Sequence, residues 1–320
     1  MTPKFVGHYA DHRMTSPTEI ARYSERIKKM AEDFAKDEIL LVATCSRVEF
    51  YGEESALRNI PVEVFAGFPF DRIEGAAAIG RRLAEIVSGA QSRILGERNI
   101  IQQLENAYKR GDQNLPIFQI ARWGVDIGLA ARERHQFNAS FTYDQFVRAV
   151  MADRYKNGET RGHLYLIGAS DLCVDLIGSG VGEHFPSTRA VTRNPKEARK
   201  RFRRWADKKV DVMHLREFGH AREPWSLAVI TTSDLNDQHK TDLQKGLLQL
   251  EPCTVVDLMA NPEISDALAG KLNCVSMYGE EFHRSIEHNN EQLAPKRLLV
   301  CSEIEAAFQT VQIDISAKAR

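Results

Sequence analysis

The second half of this sequence alternates short apolar runs with helical or irregular segments, and no other feature restricts its fold as much. Strands that alternate with helices are typical of βαβ units, in which parallel strands form one sheet with helices packed on its faces. The chain is therefore predicted to be an α/β protein with a doubly wound domain in its second part. The predicted strands are residues 163–167, 189–192, 210–213, 227–232, 254–258 and 274–277.

The first part mixes strands and helices in another order, which predicts an α+β domain over residues 1–155. Strands are predicted at 4–9, 38–44 and 48–52, and the last two form a hairpin with Cys45, Ser46 and Arg47 at its turn. Helices are predicted at 17–36, 74–87, 97–110 and 114–134. A polar stretch at 155–161 marks the predicted boundary, so the doubly wound domain takes 156–288. A break at 289–295 begins a short C-terminal helical tail, 289–320, whose helix has at most about 20 residues.

Composition limits the class of protein. The chain has 320 residues, with 43 Lys and Arg against 44 Asp and Glu, and 43% of its residues are apolar. These values exclude a disordered, collagenous or supercharged chain. There is no apolar run of 18 residues, and the polar N-terminus is unlike a secretory signal. Five widely spaced cysteines without C-x-x-C favour reduced thiols in the cytoplasm, and no His or Cys spacing predicts a metal site.

One cysteine lies in a chemically suggestive position. Cys45 follows a predicted buried strand and is flanked by Thr44 on one side and by Ser46 and Arg47 on the other. A nearby cation favours the thiolate, so Arg47 predicts a lowered thiol pKa. A thiolate can attack an ester and hold the acyl group as a thioester. A lone cysteine after a strand is also typical of a small buried core residue, and the pattern alone leaves both interpretations open.

Four segments together resemble one known family. Residues 41–51, LVATCSRVEFY, resemble the STCNR-x-E-x-Y signature of glutamyl-tRNA reductase, and residues 88–103 resemble its AGLDSMVLGEPQILGQ segment. Phe118 to Ala121 with Gly124 is similar to the F-x-x-A helix that follows. Near the N-terminus, His12 and Arg13 with the later Ser-Pro and Glu-Ile pairs are similar to NHKTAP-x-EIRE, with one residue inserted. In residues 88–103 the matching positions are Gly89, Ser92, Leu95, Gly96, Glu97, Ile100 and Gln103. The order and spacing of all four agree over roughly the first 140 residues.

The resemblance implies a specific activity. In that family a cysteine attacks the ester that links glutamate to its tRNA. NADPH then reduces the thioester to glutamate-1-semialdehyde, a precursor in tetrapyrrole (porphyrin) biosynthesis. On matching positions Cys45 would be the nucleophile, and Thr44, Arg47 and Ser92 would line the aminoacyl pocket with a further polar contact from Gln103. A guanidinium suits this pocket because it can hold a carboxylate through two parallel hydrogen bonds. The alternative is that Ser92 and Gln103 are polar residues of a helix surface and Arg47 a solvated cation.

The sequence departs from the family at two sites. Arg82 stands where the family has a histidine, so a proton-transfer role there is lost or moved to another residue such as His8, His12 or His135. The Rossmann-like domain should carry G-x-G-x-x-G after its first strand.

Only the first glycine of that fingerprint, Gly168, is kept, and Ser170 and Cys173 replace the other two. Asp171 adds a negative charge where a phosphate would bind, which predicts weakened or absent NADPH binding in the usual pose. Arg193, after the second strand, favours NADPH because it suits the 2′-phosphate, although a surface cation is equally typical there. Gly168, Ser170 and Arg193 are therefore the predicted cofactor residues.

Two further features concern partners. The chain ends before it could hold the family's C-terminal dimerisation domain, so we expect a divergent, shortened member that is a monomer or an unfamiliar dimer. Residues 196–209 hold eight Lys or Arg against two acids and form a predicted amphipathic helix, capped by Asn194 and Pro195. Its cationic face indicates either a contact with tRNA phosphates or a solvated surface.

Three functional hypotheses remain open from the sequence. The chain is a glutamyl-tRNA reductase-like oxidoreductase, a thioester hydrolase or acyl transferase that has lost reduction, or a non-catalytic binding or regulatory paralogue. The retained Cys45 and Arg47 favour an enzyme.

Overall fold

A computed structural model describes residues 3–155, 162–218, 225–232, 235–251, 253–260 and 262–310. The chain divides into two compact units. The first unit is Met1–Ser140 with Glu287–Arg320, and the second unit is Phe141–Ile286. The boundary therefore lies at 140/141 rather than at 155/156, because the helix at 143–154 belongs to the second unit. The predicted linker at 156–161 lies outside the described residues.

The first unit contains a four-stranded antiparallel sheet in the order β2-β3-β1-β4. Its strands are β1 (Phe5–Asp11), β2 (Leu40–Thr44), β3 (Arg47–Glu53) and β4 (Asp71–Glu74). The hairpin of β2 and β3 is confirmed, with Thr44 opposite Arg47 across a two-residue turn. In the β1–β3 pairing, Arg47 also lies opposite Asp11. The ends of three chain segments therefore meet at Cys45.

Seven helices precede the second unit. They are α1 (Pro17–Lys28), α2 (Ala31–Lys36), α3 (Glu54–Leu57), α4 (Val62–Phe65), α5 (Ala76–Val87), α6 (Asn99–Tyr108) and α7 (Pro116–Arg134). The predicted helix 17–36 is two helices, because Met30 leaves helical geometry (φ −97°, ψ 3°). The first of them begins at a capping box in which the Ser16 hydroxyl and the Glu19 side chain each bond the other's backbone. Helices α5, α6 and α7 cover one face of the sheet around a core that includes Leu83, Leu104 and Phe118.

The second unit is the predicted doubly wound domain. Six parallel strands lie in the order β10-β9-β8-β5-β6-β7, the arrangement of a dinucleotide-binding Rossmann sheet. They are β5 (Leu164–Ile167), β6 (Thr188–Thr192), β7 (Val210–His214), β8 (Leu227–Ile230), β9 (Thr254–Asp257) and β10 (Asn273–Ser276). The helices are α8 (Tyr143–Arg154), α9 (Asp171–Gly178), α10 (Pro195–Arg201), α11 (Asp237–Gln249) and α12 (Asp266–Ala269). No helix in the described ranges is long and apolar enough to cross a membrane.

The last helix, α13 (Glu280–Thr310), corrects the prediction for the C-terminus. It runs for 31 residues through the predicted break, with Pro295 inside it. The prediction of a break at 289–295 and of at most about 20 helical residues was therefore wrong. The helix continues because its face at Leu293, Val300 and Ile304 is buried in the first unit, which outweighs the polar sequence before the proline.

Candidate active site

The predicted nucleophile lies on an exposed tight turn. Cys45 is exposed, and the preceding Thr44 is buried. The Ser46 amide donates to Thr44 Oγ1 at 3.2 Å, and the His12 amide donates to the Ser46 carbonyl at 2.9 Å. Thr44 therefore shapes the turn, and the end of β1 holds it in place.

Arg47 points away from the thiol and into the protein. Its side chain has no solvent exposure. Nη1 donates to Glu49 Oε1 at 3.3 Å, and Nη2 donates to the Gln91 carbonyl at 2.6 Å. Nε has no hydrogen-bond partner among the described residues. Two of the guanidinium's three nitrogens are thus occupied by the protein itself.

Arg82 completes a buried charge network behind the turn. Its Nη2 donates to Glu49 Oε1 at 2.7 Å and to Asp11 Oδ2 at 3.3 Å, and its Nε donates to Glu49 Oε2 at 3.1 Å. The guanidinium also lies 3.5 Å from the centre of the Tyr9 ring. Burial alone would raise the pKa of Glu49, but Arg82 and Arg47 hold that pKa below its usual value. Arg82 therefore neutralises buried carboxylates and does not take the place of a proton-transferring histidine.

The expectation of a lowered thiol pKa was wrong. Desolvation by the surrounding side chains raises the pKa of Cys45, and the nearby Glu97 carboxylate raises it further. Arg47 opposes this shift only weakly, because its charge faces Glu49 and Gln91. The thiol therefore needs a proton acceptor to become a nucleophile near neutral pH.

Of the three histidines considered, His12 lies at the thiol turn. His8 packs against Phe65, with ring centres 5.1 Å apart, and His135 Nε2 lies 2.8 Å from Glu303 Oε2. His12 Nδ1 is buried and has no hydrogen-bond partner among the described residues. Burial, followed by the charge of Arg47, lowers the pKa of His12 to about 4, so the ring is neutral at pH 7.

The loop that carries Ser92 is held from two sides. From α7, Arg132 Nη1 donates to the carbonyls of Ser88 and Glu97 at 3.0 and 2.7 Å, and its Nη2 donates to the Gly96 carbonyl at 2.5 Å. Desolvation lowers the pKa of Arg132 to about 10. Position 96 requires a glycine, because its φ is 71° and a Cβ there would lie 2.7 Å from a backbone nitrogen.

Helix α13 holds the other side of this loop. Asn290 accepts from the Leu95 amide at 2.9 Å and donates to the Arg93 carbonyl at 2.9 Å. Asn289 donates to the Leu95 carbonyl at 3.1 Å. No sequence pattern marks either asparagine, since both lie where a helix break was predicted.

Among the predicted substrate residues, Ser92 has the most suggestive environment. Its side chain is buried, and its hydroxyl bonds the Glu97 carboxylate. Gln103 is exposed on α6, and none of the described contacts joins it to the thiol turn. Glu97 was not selected from the sequence, although it lies in the segment that carried the resemblance.

The predicted cofactor residues lie together in the second unit. A cavity of about 260 Å³ opens at the carboxyl ends of β5 and β6, and Gly168, Ser170 and Arg193 all line it. This is where a doubly wound sheet binds the adenosine half of a dinucleotide. Gly168 has a φ of 122°, and a Cβ there would lie 2.7 Å from the side chain of Thr232.

The phosphate-binding end of this cavity is already paired with the protein's own groups. Ser170 Oγ accepts from the Cys173 amide at 3.3 Å, so that helix N–H does not face the cavity. Asp171, the first residue of α9, forms an ion pair with Arg201. Arg201 also donates to the Ala169 carbonyl at 2.8 Å. The adenosine side of the cavity fits NADPH, but its pyrophosphate does not fit in the usual pose.

Other chemistry is not evident in the described part of the chain. No group of three or more His, Cys, Asp or Glu residues there could hold a metal ion. The five cysteines are free thiols, and burial raises the pKa of Cys173 to about 12. Cys45 is therefore the exposed thiol on which a covalent reaction can be built.

Comparison with known proteins shows what this chain is similar to. The model of the glutamyl-tRNAGlu reductase N-terminal domain matches residues 10–117. The chain is 45% identical to Protein nfe2 of Rhizobium meliloti over 95% of this chain and 97% of that protein. It is 24% identical to a glutamyl-tRNA reductase of Methanocaldococcus jannaschii, covering 92% of this chain and 75% of that protein. The solved glutamyl-tRNA reductase from Methanopyrus kandleri is similar over 95% of this chain and 79% of its own, with 16% identity and a TM-score of 0.45.

Proposed function

The chain belongs to the glutamyl-tRNA reductase family as a divergent member, and on that premise we propose that Cys45 accepts the aminoacyl group of an aminoacyl-tRNA, with glutamyl-tRNA as the first candidate. The observation that carries this proposal is the exposed Cys45 on a turn that the His12 amide holds, with His12 Nδ1 buried and without a hydrogen-bond partner among the described residues. Such a group is ready to bond a ligand because leaving it unpaired costs free energy.

The acyl transfer needs one proton acceptor and no other reagent. Cys45 Sγ attacks the ester carbonyl carbon, and a thioester bond forms as the carbon–oxygen bond to the terminal ribose breaks. Neutral His12 accepts the thiol proton only as the sulfur–carbon bond forms and returns it to the departing ribose oxygen, because its low pKa disfavours a separate imidazolium. Its proximity to the Cys45–Ser46 turn supports this role.

The predicted pocket residues take separate parts in this proposal. Thr44 shapes the turn, and the Ser92 hydroxyl binds the aminoacyl group. Arg47 contributes its remaining Nε and a positive charge, while its other nitrogens anchor the turn to Glu49 and Gln91. Gln103 is the weakest of the predicted contacts because it is exposed on α6.

The fate of the acyl group is the second part of the proposal. Reduction by NADPH would release an aldehyde, and Arg193 with the adenosine-sized cavity supports that route. The paired state of Ser170, Asp171 and Arg201 favours the alternative, in which water or another nucleophile takes the acyl group from Cys45. Because the pyrophosphate does not fit, we assign no step to the cofactor.

Mixing the purified chain with radiolabelled glutamyl-tRNA, with and without NADPH, tests the proposal. We expect label on the peptide that contains Cys45, loss of that label in Cys45→Ser, and retention in the control Cys301→Ser. Label that is independent of NADPH supports hydrolysis or transfer, and an NADPH-dependent aldehyde establishes the reductase. No Cys45-dependent label from any aminoacyl-tRNA would reject the enzyme and leave a binding or regulatory protein.

The role of His12 has its own test. We expect His12→Gln to slow acylation of Cys45 about 10²-fold, the lower end of the contribution of a general base, because the low pKa of His12 makes it a weak base. The matched control is His8→Gln, since His8 packs against Phe65 instead. Equal rates in the two variants, measured by single-turnover labelling, would remove His12 from the mechanism.

A further inference from the structure

The segment after β6 presents a dense row of cations. Helix α10 is followed by a 3₁₀ segment, Phe202–Lys208, so the single predicted helix is instead two pieces that meet near Phe202, and Trp205 departs from helical geometry. Ala198 and Phe202 are buried. Because these side chains fix the inner face, the charged residues between them are directed outward.

Three of the eight cations are compensated by carboxylates. Lys200 pairs with Glu197 at 3.3 Å, and Lys208 pairs with Glu183. Arg201 is the third, through its pair with the first residue of α9. These three cations already have opposite charges beside them and contribute little to an external field.

The other five cations form what we call the basic surface. Lys196, Arg203 and Lys209 are exposed and make no ion pair among the described residues. Arg199 donates to a backbone carbonyl at 3.0 Å, and the Arg204 guanidinium lies 5.5 Å from a tryptophan ring centre. Neither contact neutralises the charge, although the Asp175 carboxylate lies close enough to interact with Arg204. A chain with a net charge of −1 therefore concentrates uncompensated positive charge on one short segment.

The shape of the basic surface favours a polymeric anion. From the rise per residue of the two helical pieces, its charges extend over roughly 20 Å, more than one phosphate group can contact. Membrane-binding helices place large apolar side chains beside such charges. The exposed large apolar residues of the described chain, Val62, Trp225, Leu248, Leu298 and Leu299, all lie outside this segment.

We propose that the basic surface binds the phosphate backbone of the tRNA whose aminoacyl group reaches Cys45. This inference rests on the proposed function, because that function supplies the polyanion. Backbone contacts of this kind are independent of base sequence and depend strongly on salt, since each one releases condensed counterions. The basic surface would thus hold the tRNA body, while the thiol turn selects the aminoacyl end.

The test measures tRNA affinity against salt concentration. The full chain is titrated with a glutamate-specific tRNA transcript that carries no amino acid, between 50 and 200 mM salt. The variant Lys196→Gln/Arg203→Gln removes two uncompensated charges. The control Lys200→Gln/Lys208→Gln removes two paired charges from the same segment. We expect the slope of log K against log salt to fall by about 1 per lost contact, about 2 in the first variant, and to change much less in the control.

Further measurements distinguish failure of the basic-surface proposal from failure of the proposed function. Equal slopes in the two variants, or no tRNA binding by the unaltered chain at 50 mM salt, would overturn the basic surface. The proposal would also be overturned if the first variant lost binding to vesicles rich in phosphatidylserine as much as it lost binding to tRNA. A loss of affinity for NADPH in place of tRNA would overturn it as well, because either result would assign the cations to other anions. Acylation of Cys45 by the α-ethyl ester of glutamate needs no tRNA, so its persistence in the first variant keeps the proposed function standing by itself.

Discussion

The turn that carries Cys45 and the cavity lined by Gly168 differ in how their polar groups are paired. Behind the turn, the buried charges of Arg82, Glu49 and Asp11 satisfy one another, and Cys45 is an exposed residue on the turn itself. At the cavity, the space is open, but the groups that should face a ligand are already paired, as in the ion pair that begins α9.

A second contrast concerns single buried charges. At the carboxyl end of β9, Asp257 is buried, and its Oδ2 has no hydrogen-bond partner among the described residues. Burial raises the pKa of Asp257 to about 7, although the Met259 amide donates to Oδ1 at 3.0 Å. The network around Arg82 thus pairs its buried charges, whereas the second unit buries a carboxyl at the end of β9 that is stable mainly when protonated. A chain can therefore keep its fold while the residues of only one of its two sites change.

Removal of Arg82 should produce the largest effect. Arg82→Ala leaves Glu49 buried without its principal partner and Asp11 with Arg13 alone, and we expect a loss of about 3–5 kcal/mol in the free energy of unfolding. The adjacent control Arg81→Ala removes an exposed cation that lies 3.5 Å from Glu305, and should cost at most about 1 kcal/mol. Denaturant unfolding measures both. Similar losses in the two variants would show that the network does not act as a buried unit.

The carboxyl of Asp257 should give the second unit a distinctive pH dependence. Because its folded pKa is above its unfolded value, the stability it contributes is complete below pH 4 and is lost as pH rises towards 7 and beyond. The shift from 3.8 to about 7 corresponds to at most about 4 kcal/mol.

Asp257→Asn should therefore flatten the loss of stability between pH 5 and pH 8. The exposed control Asp211→Asn should keep the slope of the unaltered chain. The melting temperature measured across this pH range checks the expectation. An unchanged slope in Asp257→Asn would mean that Asp257 is ionised throughout.

Ser170 should control access of a phosphate to α9. Ser170→Gly frees the Cys173 amide and restores the second fingerprint glycine, so we expect NADPH to bind about 10–100-fold more tightly, the value of one hydrogen bond to a charged group. The control Ser179→Gly removes a serine whose hydroxyl bonds the Leu176 carbonyl at the far end of the same helix. Fluorescence titration with NADPH compares the two. Equal affinities would show that the Ser170 contact does not limit binding.

The exposed pair at the start of α9 should have the smallest effect on stability. Asp171→Asn removes the partner of Arg201, and both side chains are substantially exposed. We expect the free energy of unfolding to change by less than about 1 kcal/mol, in contrast to the buried pair of Arg82. A loss comparable to that of Arg82→Ala would erase the distinction between the two sites.

Much of the fold was accessible from the sequence because it follows from local pattern. The alternation of strands predicted the doubly wound sheet, and the apolar run before Cys45 predicted the hairpin. Strand β4 and helix α8 were missed. The exposed residues of β4 carry no apolar alternation, and its pairing with β1 is a tertiary contact that no local window records.

Candidate site residues could be selected from the sequence, but their partners could not. The resemblance selected Cys45 and Ser92. It also marked Arg82 as unusual, because the family has a histidine at that position. The direction of the Arg47 guanidinium depends on residues 2 and 44 positions away, so proximity along the chain suggested the wrong thiol pKa. Asn289 acts through contacts 149 and 194 positions away, for which one sequence offers no signal.

The grip of α13 on the Ser92 loop has a consequence for the order in which the protein is made. The backbone carbonyls of Arg93 and Leu95 find their partners on Asn290 and Asn289, nearly two hundred residues later. The ribosome must therefore synthesise the whole second unit before these carbonyls can accept hydrogen bonds from the two asparagines. The loop that carries Ser92 is completed last, so a truncated nascent chain carries Cys45 but not its finished surroundings.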